Sequence, residues 1–201
     1  MRKQHTLFLL IWGLALALFP ARPDAAEPAL SLTGGISRHT PHDAPGVHSG
    51  GGFRGGFTLH SNLPAGTLLI PMEWGFALRT ASLRFEDSFD RVVFTDLEVP
   101  ILFHGDLFGL KYVEPLAIWT PSYTLDMVSK GPDGAEISNT DGLRTRFNMG
   151  FGGGVQAVYR GFRLRAYAAY NIFPPITGAE MTYTDWVLEA AIPLFWKRGN
   201  P

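Results

Sequence analysis

Leu68-Leu69-Ile70-Pro71-Met72-Glu73-Trp74-Gly75-Phe76-Ala77-Leu78-Arg79 sorts its residues by parity. Leu68, Ile70, Met72, Trp74, Phe76 and Leu78 fall on one side of an extended chain, and Glu73, Gly75, Ala77 and Arg79 on the other. A period of two belongs to a strand, whose successive side chains point to opposite faces. One face of this strand is greasy; the other is small or polar.

The same division recurs on both sides of it. Leu30, Leu32 and Ile36 oppose Ser31, Thr33 and Ser37, and Phe53, Phe57 and Leu59 oppose Arg54, Thr58 and His60. Val93, Leu97, Val99, Ile101 and Phe103 oppose Asp96 and Glu98, while Val113, Ala117, Trp119 and Tyr123 oppose Glu114, Thr120 and Asp126. Toward the C-terminus Phe147, Met149, Phe151, Val155 and Tyr159 oppose Arg144, Arg146, Asn148 and Gln156. Phe162, Leu164, Ala166, Ala168 and Tyr170 then oppose Arg163, Arg165 and Asn171, and Trp186, Leu188, Ile192, Leu194 and Trp196 oppose Asp185 and Glu189.

Alternation alone does not say which face is outside, because a soluble sheet protein also buries one face. The sizes of the two faces decide it. A soluble eight-stranded barrel would have to pack Trp74, Trp119, Trp186, Trp196, Phe76, Phe147 and Phe151 into an interior just wide enough for side chains, and turn Gly56, Gly75, Gly150, Gly152 and Gly154 to water. Reversed, the bulky residues meet lipid, and aromatics near strand ends form interfacial girdles. Unpaired backbone groups in hydrocarbon cost several kcal/mol each, so such a sheet must close on itself. The expected fold is therefore all-β, a closed antiparallel up-and-down transmembrane β-barrel of eight strands.

Connectors support that topology. Residues 39–51, 80–90, 128–142 and 174–181 read as long polar segments, and 61–66, 104–110 and 160–161 as short turns. Transmembrane barrels have long external loops and short periplasmic turns, which puts both chain ends on the periplasmic side. Pro71, Pro100, Pro115, Pro121 and Pro193 interrupt strands and are expected at bulges or strand ends.

Met1-Arg2-Lys3, the apolar run Leu7 to Phe19 and the Pro/Ala-rich stretch through Ala26 have the order of a secretory signal peptide. The domain reading is a signal peptide over 1–28 and a barrel over 29–201. The net charge of -1 argues against a nucleic-acid partner, which requires a basic face. With no Cys, thiolate catalysis, disulfides and Cys-ligated zinc are excluded.

From Ala29 to Trp196 the chain resembles the bacterial outer-membrane barrels called PorT-like or OmpA/OmpX-like. The residues that carry this are Asp96-Leu97-Glu98-Val99-Pro100-Ile101-Leu102 and the segment YVEPLAIWTPSYT at Tyr112 to Thr124, which look like the paired "L-E-I-P" and "P-Y-x-x-x-G-P" segments of PorT-like barrels. Ile118-Trp119-Thr120-Pro121 stands where those barrels have a small, Gly-containing sequence. The resemblance implies a Gram-negative outer-membrane location, and a C-terminal strand read by the barrel assembly machinery. Ile192, Leu194 and Trp196 match the end of that signal, although Lys197 to Pro201 run past it.

Candidate chemistry is sparse. His60-Ser61-Asn62 resembles the His-x-Ser-Asn segment of barrels that deacylate lipid A, but here His and Ser are adjacent and alternation sends them to opposite faces. His39, His42 and His48 share one connector without metal-ligand spacing and read as a solvated loop. Gly150-Phe151-Gly152-Gly153-Gly154 precedes a strand pattern and lacks the Lys-Ser/Thr of a phosphate loop, so its glycines permit strand coiling and close packing. Glu86, Asp87 and Asp90 lack an EF-hand pattern. No catalytic, cofactor or metal residue is assigned. The functional expectation is a non-enzymatic structural or surface-interaction barrel with its lumen closed by polar residues. Its partners would be outer-membrane lipid, the assembly machinery and a surface ligand at the long loops. The alternatives are a lipid-modifying barrel enzyme and a soluble periplasmic lipocalin-like carrier.

Overall fold

A computed structural model describes residues 28–65, 68–86, 91–105, 112–131, 133–138, 145–159, 161–174, 176 and 181–196. The N-terminal segment read as a signal peptide lies outside the described residues up to position 27, and Pro28 opens the first strand.

The strands are β1 (Pro28–His42), β2 (Val47–Ala65), β3 (Leu68–Phe85), β4 (Arg91–Glu98), β5 (Ile101–His104), β6 (Val113–Lys130), β7 (Glu136–Ser138), β8 (Phe147–Tyr159), β9 (Phe162–Asn171) and β10 (Thr182–Trp196). All pairings are antiparallel. β1 pairs with both β2 and β10, the order continues through β9, β8, β6 and β4 to β3, and β3 pairs back with β2. The sheet is thus a closed ring.

Ten strands make eight staves. β4 and β5 hold one register against both neighbours: Glu98↔Ser122 and Ile101↔Trp119 on β6, Ala77↔Glu98 and Trp74↔Ile101 on β3. They are one stave, interrupted where Pro100 has no N–H to give. Backbone bonds still cross the gap, from Gly75 N–H to the Pro100 carbonyl at 3.2 Å and from Val99 N–H to the Pro121 carbonyl at 2.9 Å. β7 stands off the ring, folded back on Val128–Lys130 of β6. Pro193 sits beside the register shift at Leu30/Ser31, whereas Pro71, Pro115 and Pro121 keep regular pairing, against the expectation of bulges or strand ends.

The strands outrun their expected lengths. β1 continues to His42 and β2 begins at Val47, so the connector expected at 39–51 shrinks to 43–46, with Asp43 (φ 55°) and Gly46 (φ 75°) in the left-handed region. β3 runs to Phe85 and β6 to Lys130, which likewise shortens those connectors from the strand side. Gly161 (φ 83°) makes the tight β8–β9 turn expected at 160–161. At the terminal end the β5–β6 connection spans 105–112 rather than 104–110.

Parity holds around the ring up to the register shift on β6. Leu32, Ile36, Phe53, Phe57, Phe76, Leu78, Val155, Leu164, Trp186 and Leu188 are exposed outward, and Ser31, Thr33, Arg54, Thr58, Glu73, Arg79, Asp96, Glu98, Asn148, Gln156, Arg163, Arg165, Asp185 and Glu189 are buried inward. Tyr112, Tyr159, Phe162 and Phe195 are exposed at the terminal end of their strands, and Phe147, Tyr170 and Tyr123 toward the loop end. Exposed aromatics thus stand at both ends of an apolar belt that itself contains Phe and Trp. At Gly152 and Gly154 a Cβ would overlap the backbone carbonyls of Ala168 and Ala166, so the glycine run lies within β8 and lets β9 approach closely.

Candidate functional site

The outward faces of the strands are apolar, so the chemistry of this chain lies in the lumen. β2, β3, β4, β9 and β10 turn Arg54, Arg79, Arg163 and Arg165 inward together with Glu73, Asp96, Glu98, Asp185 and Glu189, all of them buried. A buried ion is costly unless paired, and removing one partner is costlier than removing both.

Pairing runs along the lumen as a single chain of contacts. Toward the loop end, Arg79 donates to Asp96 (Nη2 to Oδ2, 2.6 Å), Tyr183 Oη (3.1 Å) and Asp185. Its Nε lies 3.1 Å from Glu98 Oε1. Asp96 also accepts from Thr124 Oγ1 at 2.7 Å and Asp185 from Asn171 Nδ2 at 2.9 Å. Arg54 Nε lies 3.0 Å from Glu98 Oε2 and 3.5 Å from Glu189 Oε2, near enough for charge attraction but without hydrogen-bond alignment. Arg165 donates to Glu189 Oε1 (2.8 Å), Gln156 Oε1 (3.2 Å) and Glu73. Glu73 Oε2 also accepts from Thr58 Oγ1 at 3.0 Å. Arg54 and Arg79 each lie over a ring, Tyr167 at 5.8 Å and Tyr183 at 5.9 Å.

Apolar groups fill the space that the charges leave. Leu102, Leu116, Ile118, Tyr167 and Val187 form a buried cluster in the lumen wall, and Ala81, Leu83, Val92, Phe94, Met127 and Met181 a second one at the loop end. Ala44, Val47, Phe85 and Ile176 pack onto the second cluster. Alternation hid the first group, because Leu102 beside Phe103 and Ile118 between Ala117 and Trp119 make both faces apolar at those points, and it missed Ala81 and Leu83 of the second because 80–90 reads as a connector.

Several sequence assignments change. His39, expected in a mobile loop, is a buried lumen residue whose Nδ1–H is donated to Asp185 while Nε2 meets Ser37 Oγ at 3.1 Å. His42 bonds Thr184 Oγ1 at 2.8 Å, and His48, exposed, bonds Glu86 Oε1 at 2.8 Å, so the three histidines do not converge. Asp126, expected inward, is displaced because Leu125 of β6 is an extra residue opposite the Thr95/Asp96 step, and it accepts from Ser138 of β7 at 3.2 Å. Arg146, also expected inward, is exposed ahead of Phe147, where β8 begins; Arg144, Asp87 and Asp90 lie outside the described residues. His60 points into the lumen as expected, and Asn62 is exposed.

One grouping was not anticipated. His60 of β2, Glu73 of β3 and His104 of β5 are buried together near the terminal end, with ligand-capable atoms all within 4.8 Å of one another. Hairpin register places His60 opposite Glu73, and the pairing Glu73↔Leu102 brings His104 alongside. The two imidazole centroids are 5.0 Å apart.

No protein-family model matches the chain, and no curated protein matches it. Among solved structures it is similar to Neisserial surface protein A, with a TM-score of 0.57 at 13% identity, covering 85% of this chain and 100% of that one. It also matches Ail, the attachment invasion locus protein of Yersinia pestis, with a TM-score of 0.47 at 17% identity, covering 83% and 98%. Both are outer-membrane β-barrel proteins of the OmpA/OmpX-like kind. At these identities the likeness is one of fold, and the first of the two supports what the strand pairing shows independently: this chain is a closed, all-β antiparallel barrel.

Proposed function

We propose that the protein is an integral barrel of the Gram-negative outer membrane, non-enzymatic, serving a structural or surface-interaction role with its loop end facing outward. The observation that carries this reading is the inversion of burial. A belt of Trp, Phe, Leu and Ile side chains is exposed around the whole ring while arginines and carboxylates are sealed inside. Soluble monomers rarely expose contiguous apolar patches beyond a few hundred Å², so the belt argues for lipid as its solvent and against a soluble lipocalin-like carrier.

β6 and β9 end at the same end of the barrel, and the segments that follow them are where this reading places contact with an external ligand. Fold alone does not assign that ligand. Kinship with PorT-like barrels, resting on residues 96–102 and 112–124, and recognition of the last strand by the barrel assembly machinery, belong to the same proposal.

Fractionation followed by electrophoresis of unheated and boiled samples tests it. The protein is expected in the carbonate-insoluble membrane fraction, with a compact band that shifts on boiling. Release by carbonate without detergent would overturn the reading.

A further inference from the structure

We propose that His60, Glu73 and His104 form a lumenal binding site for one divalent transition-metal ion of the zinc type. Two buried atoms carry the argument. Glu114 Oε2 accepts from His104 Nδ1–H at 3.0 Å, which in the neutral ring leaves the lone pair on His104 Nε2. That Nε2 makes no hydrogen bond, is buried, and faces Glu73 Oε1 at 3.8 Å. Glu73 Oε1 likewise makes no hydrogen bond, because Arg165 and Thr58 are held by Oε2. With that ring neutral, two buried acceptors face each other beside the Arg163 guanidinium, and a metal ion bound by both would satisfy them.

The distances suit a small ion. Glu73 Oε1 lies 3.6 Å from His60 Nδ1 and 3.8 Å from His104 Nε2. Tetrahedral zinc with bonds near 2.0–2.2 Å puts neighbouring ligand atoms about 3.4 Å apart, so contraction by a few tenths of an ångström closes these two edges. Two imidazoles and a carboxylate form a ligand set used for zinc, with a fourth position left for water. Glu114, itself held by Gln156 Nε2 at 2.7 Å, supplies the carboxylate behind a metal-bound histidine that orients the ring and raises its basicity.

Charge favours the same occupant. Five buried carboxylates and the half-buried Glu114 face four buried guanidinium groups in the lumen of the described residues, and one divalent ion balances the difference when the imidazoles are neutral. Arg163 opposes it. Its Nε is 3.4 Å from Glu73 Oε1 and its Nη2 is 3.4 Å from His60 Nε2, so the guanidinium must withdraw when His60 binds through Nδ1. Arg163 is therefore a competitor that weakens the site.

The test uses untagged protein purified in detergent, titrated with Zn²⁺ against a chromogenic chelator and separately with Co²⁺. Wild type is expected to hold one equivalent, with the intense visible absorption of four-coordinate Co²⁺. His104→Gln should abolish this, Glu114→Gln should loosen binding roughly tenfold or more, and Arg163→Gln should tighten it, since Gln removes the competing charge and offers His60 Nε2–H an acceptor. His48→Gln on the surface should change nothing, and heat-modifiable migration of each variant establishes that it is folded. Absence of stoichiometric binding by folded wild type, weak six-coordinate Co²⁺ absorption, or binding retained in His104→Gln would overturn the proposal.

Discussion

Arg165 and Glu189 are cross-strand partners on β9 and β10, and the guanidinium Nη1 donates to the carboxylate Oε1 at 2.8 Å with both side chains buried. Neither can be lost alone without leaving a buried charge short of its partner. Arg165→Ala is expected to destabilise the folded barrel by about 3–5 kcal/mol, the usual cost of breaking a buried pair from one side. The double replacement Arg165→Ala with Glu189→Ala should cost less than the sum of the two single changes. Urea unfolding in lipid vesicles measures all three, and additivity would show that the pair is not energetically coupled.

The outward face can be tested by holding exposure constant and changing only the solvent. Leu188 is 47% exposed on the belt and Ile137 is 59% exposed on β7, off the ring. If the belt is in hydrocarbon, Leu188→Arg should cost about 2–4 kcal/mol near the midplane, whereas Ile137→Arg should stay within about 0.5 kcal/mol. Equal penalties in vesicles would mean that the two faces see the same medium.

Gly152 and Gly55 separate close strand approach from mere flexibility. A Cβ at Gly152 would overlap the Ala168 carbonyl, while one at Gly55 would meet its nearest neighbour, the Thr33 carbonyl, at 3.8 Å. Gly152→Ala is expected to cost about 1–3 kcal/mol through overpacking, and Gly55→Ala to fall within about 0.5 kcal/mol. Comparison of their unfolding midpoints checks this, and a Gly152→Ala midpoint equal to wild type would refute the steric account.

What could be read in advance follows the constraint on both faces of a strand. Residues 72–79 alternate strictly because one face is the apolar exterior and the other a narrow polar lumen. Past His39 the barrel wall continues, but His39-Thr40-Pro41-His42 carries no aliphatic or Phe/Trp side chain to mark a face and reads as a loop. Alternation stops signalling there even though pairing with β10 continues to Thr182. Parity also failed at Asp126, since one bulged residue reverses every assignment beyond it. The His60, Glu73 and His104 grouping was illegible for another reason: it arises from the register of three strands, and no local spacing encodes it.

A closed, non-conducting lumen is the remaining expectation, and two different barriers to ions support it. At the loop end, Leu83, Phe94, Met127 and Met181 pack together in a buried apolar cluster that offers a hydrated ion nothing to replace its water. Below it, the contacts linking Asp185, Arg79, Glu98, Arg54, Glu189, Arg165 and Glu73 join both signs of charge along the lumen, so neither cations nor anions meet a selective path. An eight-stranded barrel has an interior that side chains can fill, and here they do so with little exposure. Purified protein in planar bilayers is therefore expected to give no stable porin-like steps. Phe94→Ala alone should not open it, because the charged column remains; Phe94→Ala combined with Arg79→Ala and Arg165→Ala should show transient, noisy leak if the fold survives, as unheated electrophoresis will show. Steady nanosiemens-scale openings of the unaltered protein would defeat the closed lumen, whatever the variants did.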